Sequence, residues 1–257
     1  MKPYLSVIIP AKNEAKRLPT TLIDIDKHLS RADYSYEIIV VDNNSKDATG
    51  DIARHFSNMI KNMRVIEAKE PGKGGAVQVG MLEAKGTIRL FTDADNSTSI
   101  DQFEKMIPYF STSGGKEGQY DVVIASRDVP GAKLVPPQPW YRRIGGDVGN
   151  LIIQALLLPG IWDTQCGFKA FTEEAAIKIF TNLKTSRWGF DVEVLTLAKY
   201  LGYKIKEIPI IWVNDPFSTV GMSAYMQVLW DVLRIKYWIM AGKYDIINSN
   251  LQNPDKK

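Results

Sequence analysis

Two aspartates separated by a single residue, Asp93 and Asp95, could together bind a divalent cation. They lie in the segment Thr87–Ser97, in which a short β-rich run precedes the acids and small or turn-forming residues follow them. We expect both carboxylates to emerge at the crevice where open α/β sheets bind ligands. Two carboxylates are a typical protein contribution to an Mg²⁺ or Mn²⁺ site that substrate phosphates complete. On spacing alone, a solvated turn with a helix cap at Asn96 or Ser97 is the alternative.

A second group of polar residues follows the first two predicted strands. Asp42 ends a continuously apolar run, and Pro10, Asn13 and Glu14 end the run before it. A carboxylate at a strand end can accept a hydrogen bond from a nucleobase N–H or a ribose hydroxyl. These four residues are therefore candidates for one nucleoside pocket. A plain acidic turn residue is the competing interpretation of Asp42.

The glycine-bearing segment Gly72–Gly80 is a candidate for binding a diphosphate. It is not a dinucleotide fingerprint, because Val77 stands at the place of the third glycine. It is not a P-loop either, because neither Ser nor Thr follows Lys73. Backbone N–H groups and one lysine at the start of a helix can still hold a diphosphate.

Apolar runs alternate with helical patterns along the chain, which predicts an α/β fold with a mostly parallel central sheet flanked by helices. Because parallel strands end at the same edge, Asp42 and Asp93 are expected to share one crevice. The predicted strands are 5–9, 37–41, 64–68, a strand leading to Asp93, and 121–125. The predicted helices are 18–29, 47–59, 75–84, 100–110 and 173–180.

Composition predicts a single domain over residues 1–243, followed by a polar tail at 244–257. The 257 residues are 45% hydrophobic and 24% charged, which is enough apolar material for a substantial core. A net charge of +3 is too mild to indicate nucleic-acid binding. The single cysteine, Cys166, excludes an intramolecular disulfide and agrees with a cytoplasmic setting.

The chain is not expected to be an integral membrane protein. Its first apolar run is about six residues long, whereas a signal peptide has about 7–15. The longest apolar stretch, 151–162, contains Pro159 and Gly160 and falls short of the roughly 18 unbroken apolar residues of a membrane span.

Residues 222–241 predict an amphipathic helix. Ser223, Gln227, Asp231 and Arg234 share one narrow stripe, and apolar residues cover more than half of the circumference. This pattern predicts peripheral contact with the cytoplasmic face of a membrane, without insertion. A helix buried on two sides, a homodimer contact or a membrane-anchoring subunit are the alternatives.

Taken in order, these motifs resemble the family 2 glycosyltransferases with the GT-A fold, and within them the polyprenyl-phosphate glycosyltransferases. The resemblance covers roughly residues 4 to 240, and several motifs in the right order are more specific than any single one. The last two matching segments are the most specific and resemble the glucosyl branch. The matching segments are Pro10 with Asn13 and Glu14, Val41–Thr49 with Asn43 in place of the second acid, Gly72–Ala76, Asp93 with Asp95, Ala125–Arg127, Asp163–Lys169 and Arg187–Leu195.

The resemblance implies a nucleotide-diphospho-sugar transferase that moves a sugar, with inversion, from a nucleotide sugar to a polyprenyl or dolichyl phosphate, most simply glucose from UDP-glucose. It implies Mg²⁺ or Mn²⁺ on Asp93 and Asp95, and catalytic roles for Asp95, Asp163 and Asp191. The implied donor-binding residues are Pro10, Asn13, Glu14, Asp42, Lys73, Asp93 and Arg127. The implied acceptor-binding residues are Arg143, Gln165, Gly167 and Trp188.

Other interpretations stay open at this point. The same fold could act on a saccharide or protein hydroxyl, transfer mannose from GDP-mannose, or serve as an inactive nucleotide-sugar-binding module. Without the resemblance, the segment Asp163–Lys169 is more simply a turn into the helix 173–180, with Asp163 as its cap and Cys166 buried. Trp188 and Phe190 are then core residues.

Overall fold

The computed structural model describes residues 2–69, 71–110, 119–137, 140–213 and 222–244, and for residues 140–145, 147 and 222–225 it describes the backbone. The strands are β1 Leu5–Ala11, β2 Tyr36–Asp42, β3 Met63–Glu67, β4 Ile88–Thr92, β5 Val122–Ser126, β6 Lys133–Val135, β7 Phe168–Thr172, β8 Ile205–Pro209 and β9 Ile211–Val213. The helices are α1 Leu18–Leu29, α2 Thr49–Ser57, α3 Lys73–Glu83, α4 Trp140–Leu156, α5 Glu173–Thr181, α6 Phe190–Tyr200 and α7 Met222–Met240.

The main sheet has the order β3-β2-β1-β4-β7-β5-β8 and is parallel except for β7. Strand β7 runs antiparallel to both of its neighbours, β4 and β5. Its first residue, Phe168, pairs with the last residue of β4, Thr92. The segment that enters β7 therefore lies beside the acids that follow β4, although about 70 residues separate them in sequence.

Hydrophobic cores cover both faces of this sheet, because successive side chains of a strand point to opposite faces. In β1, Ile8 faces the core formed with α3, α5, α6 and α7. Its neighbours Val7 and Ile9 face the core formed with α1 and α2. Strand β1 is thus buried on both faces and β2 mostly so, which explains why these two strands are continuous apolar runs in the sequence.

A small parallel sheet of β6 and β9 lies next to the acidic loop. The N–H of Val213, the last residue of β9, donates to the carbonyl oxygen of Ser97 at 2.8 Å. This bond ties the small sheet to the loop that carries Asp95.

Two local predictions were wrong. Residues 100–110 form two short 3₁₀ helices, Ile100–Lys105 and Ile107–Tyr109, rather than one α-helix, and Pro108 lies in the first turn of the second, where its missing N–H is tolerated. Asp163 does not cap α5: strand β7 intervenes, and the hydroxyl of Thr172 accepts the capping bond from the N–H of Ala175 at 3.4 Å.

Helix α7 confirms the predicted helix, but it is arranged differently from the expected polar stripe. Val232 and Ile235 pack in the core, and Asp231 is buried with them at 3% exposure. The outward face carries a row of exposed apolar side chains, namely Met226, Trp230, Leu233, Tyr237 and Met240. Among the described helices, none is long and apolar enough to span a bilayer.

Candidate active site

The two acids predicted from the sequence lie together at the carboxyl end of β4. Asp93 follows the strand directly, and its N–H donates to the carbonyl oxygen of Gly167 at 3.2 Å. The carboxylate of Asp95 accepts a bond from the N–H of Ser97 at 3.0 Å. Burial, together with the nearby charge of Asp93, raises the pKa of Asp95. Two neighbouring carboxylates repel each other when both are ionised, and a bound cation would relieve that repulsion.

Lys73 is the cationic partner of this pair. It is the first residue of α3, and its ammonium group lies 2.6 Å from Oδ1 of Asp93. Burial alone would lower the pKa of Lys73, but the charges of Asp93, Asp191 and Asp95 outweigh burial and raise it. Lys73 therefore stays charged at the helix end where a diphosphate is expected.

Gly167 leaves the space that Asp93 occupies. A Cβ atom at position 167 would lie 2.1 Å from Oδ2 of Asp93 and 2.4 Å from its Cγ. Only a residue without a side chain fits there while Asp93 keeps its position. The family resemblance implies an acceptor-binding role for Gly167, which stays a prediction, whereas the structure shows that Gly167 makes room for Asp93.

The start of α3 is held by two loops. Gly72 has a φ of 101°, and its N–H donates to the side-chain oxygen of Asn43 at 3.0 Å. The N–H of Gly75 donates to the carbonyl oxygen of Ser186 at 3.0 Å. Asn43, which replaces an acid of the family motif, thus anchors the glycine loop, and this role was not predicted.

Asp191 lies in the first turn of α6 and is paired with a lysine that sequence reasoning missed. Lys169, fully buried in β7, donates to Oδ1 of Asp191 and, at 2.6 Å, to the carbonyl oxygen of Cys166. Burial raises the pKa of Asp191, although Lys169 and Lys73 oppose that shift. A lysine inside the apolar run FKAFT was the available signal, because a buried lysine needs a partner.

Buried Asp163 and partly exposed Arg127 form a second ion pair. The Asp163 carboxylate accepts bonds from the backbone N–H, Nε and Nη2 of Arg127 and from the N–H groups of Gln165 and Cys166, at 2.7 to 3.2 Å. Burial would raise the pKa of Asp163, but Arg127 lowers it overall. A carboxylate with this many donors organises the loop before β7, and its predicted catalytic role stays a prediction. Arg127, predicted to bind the donor, is likewise engaged here.

The four residues predicted to line a nucleoside pocket lie at neighbouring strand ends. Asp42 is the last residue of β2, and its Oδ1 accepts a bond from the N–H of Ser45 at 3.2 Å. Pro10 is buried in β1, and Glu14 is paired with Arg17 at 2.6 Å. Asn13 has a φ of 57°, and its side-chain oxygen accepts a bond from the N–H of Lys46 at 2.8 Å. These contacts shape the edge of the predicted nucleoside pocket, and donor binding by the four residues stays a prediction.

The remaining residues predicted to bind the acceptor differ in exposure and in their contacts. Trp188 is 37% exposed, and its ring lies 5.8 Å from the ammonium of Lys73. Nε2 of Gln165 is buried and has no hydrogen-bond partner among the described residues. Phe190 is fully buried, as expected for a core residue. Arg143 belongs to α4, but its side chain lies outside the described residues.

The acids fit a hard divalent ion that the protein holds by few ligands. Asp93 and Asp95 supply oxygen atoms, and within the described ranges no group of three or more His, Cys, Asp or Glu residues is placed to hold a metal ion. Such a two-carboxylate site leaves coordination positions for water and phosphate, as Mg²⁺ and Mn²⁺ sites commonly do.

Strand-end acids, a cationic helix start and a mostly parallel sheet with one inserted antiparallel strand define a nucleotide-diphospho-sugar transferase of the GT-A class. The profile of the family described as glycosyl transferase family 2 matches residues 6–180. The chain belongs to this family and is a glycosyltransferase.

Relatives of the chain share most of its length. A dolichyl-phosphate beta-glucosyltransferase from Dictyostelium discoideum is 36% identical over 258 residues, covering 95% of this chain and 77% of the relative. The human dolichyl-phosphate beta-glucosyltransferase is 31% identical, covering 97% and 80%. A solved structure of glucosyl-3-phosphoglycerate synthase from Mycobacterium tuberculosis, in complex with Mn²⁺ and uridine diphosphate, superposes with a TM-score of 0.65 over 91% of this chain and 80% of the synthase. At 21% identity, that likeness shows the fold.

Proposed function

We propose that this glycosyltransferase moves glucose from UDP-glucose to the phosphate of a polyprenyl lipid such as dolichyl phosphate, with inversion at the anomeric carbon. The observation that carries the proposal is the corner at the end of β4, where Asp93 lies between Lys73 and Gly167 with Asp95 beside it. The names of the relatives supply the sugar and the acceptor.

The chain's own residues would bind and orient both substrates. Asp42 would accept a hydrogen bond from the nucleoside, and Lys73 would place its charge on the diphosphate. Mg²⁺ or Mn²⁺ held by Asp93 and Asp95 would neutralise negative charge on the leaving nucleotide. A lipid phosphate is already largely ionised at neutral pH, so the acceptor needs orientation more than deprotonation. The ion pair of Asp191 and Lys169 is suited to orienting the acceptor, because both side chains are buried and hold each other in place.

The purified chain tests this function directly. With UDP-glucose, Mn²⁺ and a polyprenyl phosphate, we expect a lipid product that releases glucose in mild acid, as a phosphodiester-linked glycoside does. GDP-mannose serves as the donor control and free sugars and peptides as acceptor controls. Efficient transfer to a hydroxyl, with none to the lipid phosphate, would replace the proposal by the saccharide or protein acceptor.

Asp42→Ala is expected to weaken UDP binding by about 1.5–3 kcal/mol, or roughly 10- to 160-fold in Kd, because a hydrogen bond to a charged group is lost. Isothermal titration with UDP and Mn²⁺ measures this change. Asp51→Ala is the matched control, since Asp51 is an exposed acid of nearby α2. If the two variants bind UDP with equal affinity, Asp42 does not contact the nucleoside and is only a turn residue.

We also propose that α7 brings the site to the cytoplasmic face of a membrane as a peripheral contact. Helix α7 packs against α4, which also exposes apolar side chains at Val148, Leu151 and Ile152. Exposed apolar side chains in this number are typical of an interaction face, and Lys236 and Lys243 supply nearby positive charge.

Co-sedimentation with vesicles of phosphatidylcholine and phosphatidylglycerol tests the membrane contact. Trp230→Ser is expected to reduce the bound fraction, because an interfacial aromatic anchor is removed. Ile177→Ser is the matched control, since Ile177 is an exposed apolar residue of α5. Wild-type protein that stays in the supernatant and elutes as a dimer would assign the face to a protein contact instead.

A further inference from the structure

Asp231 is a buried acid on a helix that is mostly apolar. It is 3% exposed, whereas its neighbour Trp230 is 64% exposed. Burying a carboxylate is costly unless other groups compensate its charge. Arg234, one turn further along α7, contacts Oδ1 of Asp231 at 3.5 Å. This ion-pair contact is long, so other groups around Asp231 are needed to offset the cost of burying its carboxylate.

Those surroundings are the amino end of α6. A Cβ atom at Gly189 would lie 2.5 Å from Cβ and 2.5 Å from Oδ2 of Asp231, so the glycine permits α6 and α7 to approach. Gly189 is the N-cap residue of α6 and has no side chain with which to cap the helix. The carboxylate of Asp231 therefore lies beside this uncapped helix end, and its Oδ2 is buried without a hydrogen-bond partner among the described residues.

Two cationic side chains act against the burial of this acid. Burial raises the pKa of Asp231, and the charges of Arg234 and Arg187 offset that rise only in part. Arg234 belongs to α7, and Arg187 belongs to the loop that leads into α6.

The first turn of α6 also carries the site residues. Asp191 is the second residue of the helix and is held from the other side by Lys169. Phe190, between Gly189 and Asp191, is fully buried, and its ring packs 5.7 Å from that of Phe91 on β4. A shift of the helix start would therefore move Asp191 relative to the acids that follow β4.

We propose that Asp231 is a positioning residue that fixes the amino end of α6, and through it Asp191, from outside the site. The role of Asp191 in this inference rests on the proposed function, whereas the contact between α7 and α6 does not. The same contact links the exposed helix α7 to the reaction centre.

Asp231→Leu tests the proposal, because it keeps the approximate size but removes the charge and the acceptor atoms. We expect kcat for transfer to fall about 10- to 100-fold, since a misplacement near 1 Å costs up to about 10²-fold. The KM for UDP-glucose and the affinity for UDP with Mn²⁺ should not change. Amide hydrogen exchange in residues 189–193 should become faster. Lys199→Gln, which changes an exposed residue in the last turn of α6, should resemble the wild type in all four measurements.

Asp231→Ala removes the same carboxylate with less demand on space and replaces the leucine variant if that variant does not fold. A wild-type kcat in either variant, or a loss of kcat and UDP binding in equal proportion, would overturn the proposal. If the wild type transfers no glucose to polyprenyl phosphate, the proposed function fails. Hydrogen exchange at 189–193, which needs no substrate, then still decides whether Asp231 fixes α6.

Discussion

Asp95→Asn is expected to reduce glucose transfer at least about 10³-fold, because several kcal/mol of charge stabilisation on the leaving nucleotide depends on this carboxylate. The amide keeps the size of the side chain but not its charge. Burial and Asp93 already disfavour the charged form of Asp95, so the fold should be no less stable in the variant. Turnover with a saturating metal concentration and the melting temperature measure the two effects separately.

Nucleotide binding gives a second measurement for Asp95 that does not depend on turnover. In the wild type, Mn²⁺ should strengthen UDP binding, and in Asp95→Asn this dependence should disappear. Asp101→Asn is a suitable control, because Asp101 lies in the 3₁₀ helix that follows the same loop. Wild-type turnover that survives excess chelator would refute the assignment of Asp93 and Asp95 to a metal.

Lys169→Met is expected to lower the free energy of unfolding by about 3–5 kcal/mol, because breaking a buried ion pair leaves one charge without a partner. Lys169 and Asp191 are 0% and 3% exposed at their side chains, so water cannot replace the lost contact. Urea denaturation followed by circular dichroism measures the change. Where the variant remains folded, its kcat should fall because Asp191 loses the group that orients it.

A double variant and an exposed pair make this prediction specific. Lys169→Met with Asp191→Asn should recover part of the stability, because the isolated charge is removed as well. Lys178→Met breaks an exposed pair with Glu174 on α5 and should cost no more than about 1 kcal/mol. Equal losses for Lys169→Met and Lys178→Met would mean that the buried pair contributes little.

Local sequence patterns predicted the elements that carry the donor side of the site. Helix α1 begins and ends where its apolar spacing predicts, β2 extends one residue beyond the prediction at each end, and β4 leads to Asp93 as predicted. A continuously apolar run followed by an acid and a turn places that acid at a strand end, whatever the rest of the chain does. Asp42 and Asp93 could therefore be located before any tertiary contact was known.

The acceptor side depended on tertiary structure. The local pattern does not predict strand β7, because its five residues, FKAFT, carry Lys169 inside a short apolar run. Its antiparallel pairing with β4 brings Gly167 against Asp93 and Lys169 against Asp191, and each contact joins segments more than 20 residues apart. Register between distant strands depends on packing of the whole sheet rather than on the residues of one segment.

Helix α7 shows the same division between what local sequence predicts and what tertiary packing determines. Its sequence determined that a helix with a wide apolar face exists, since helical periodicity is local. Only the folded structure decided that Val232 and Ile235 enter the core, that Trp230 stays outside, and that Asp231 meets Gly189. An amphipathic pattern reports which residues share a side of the helix, but the side that is buried depends on the elements that pack against it.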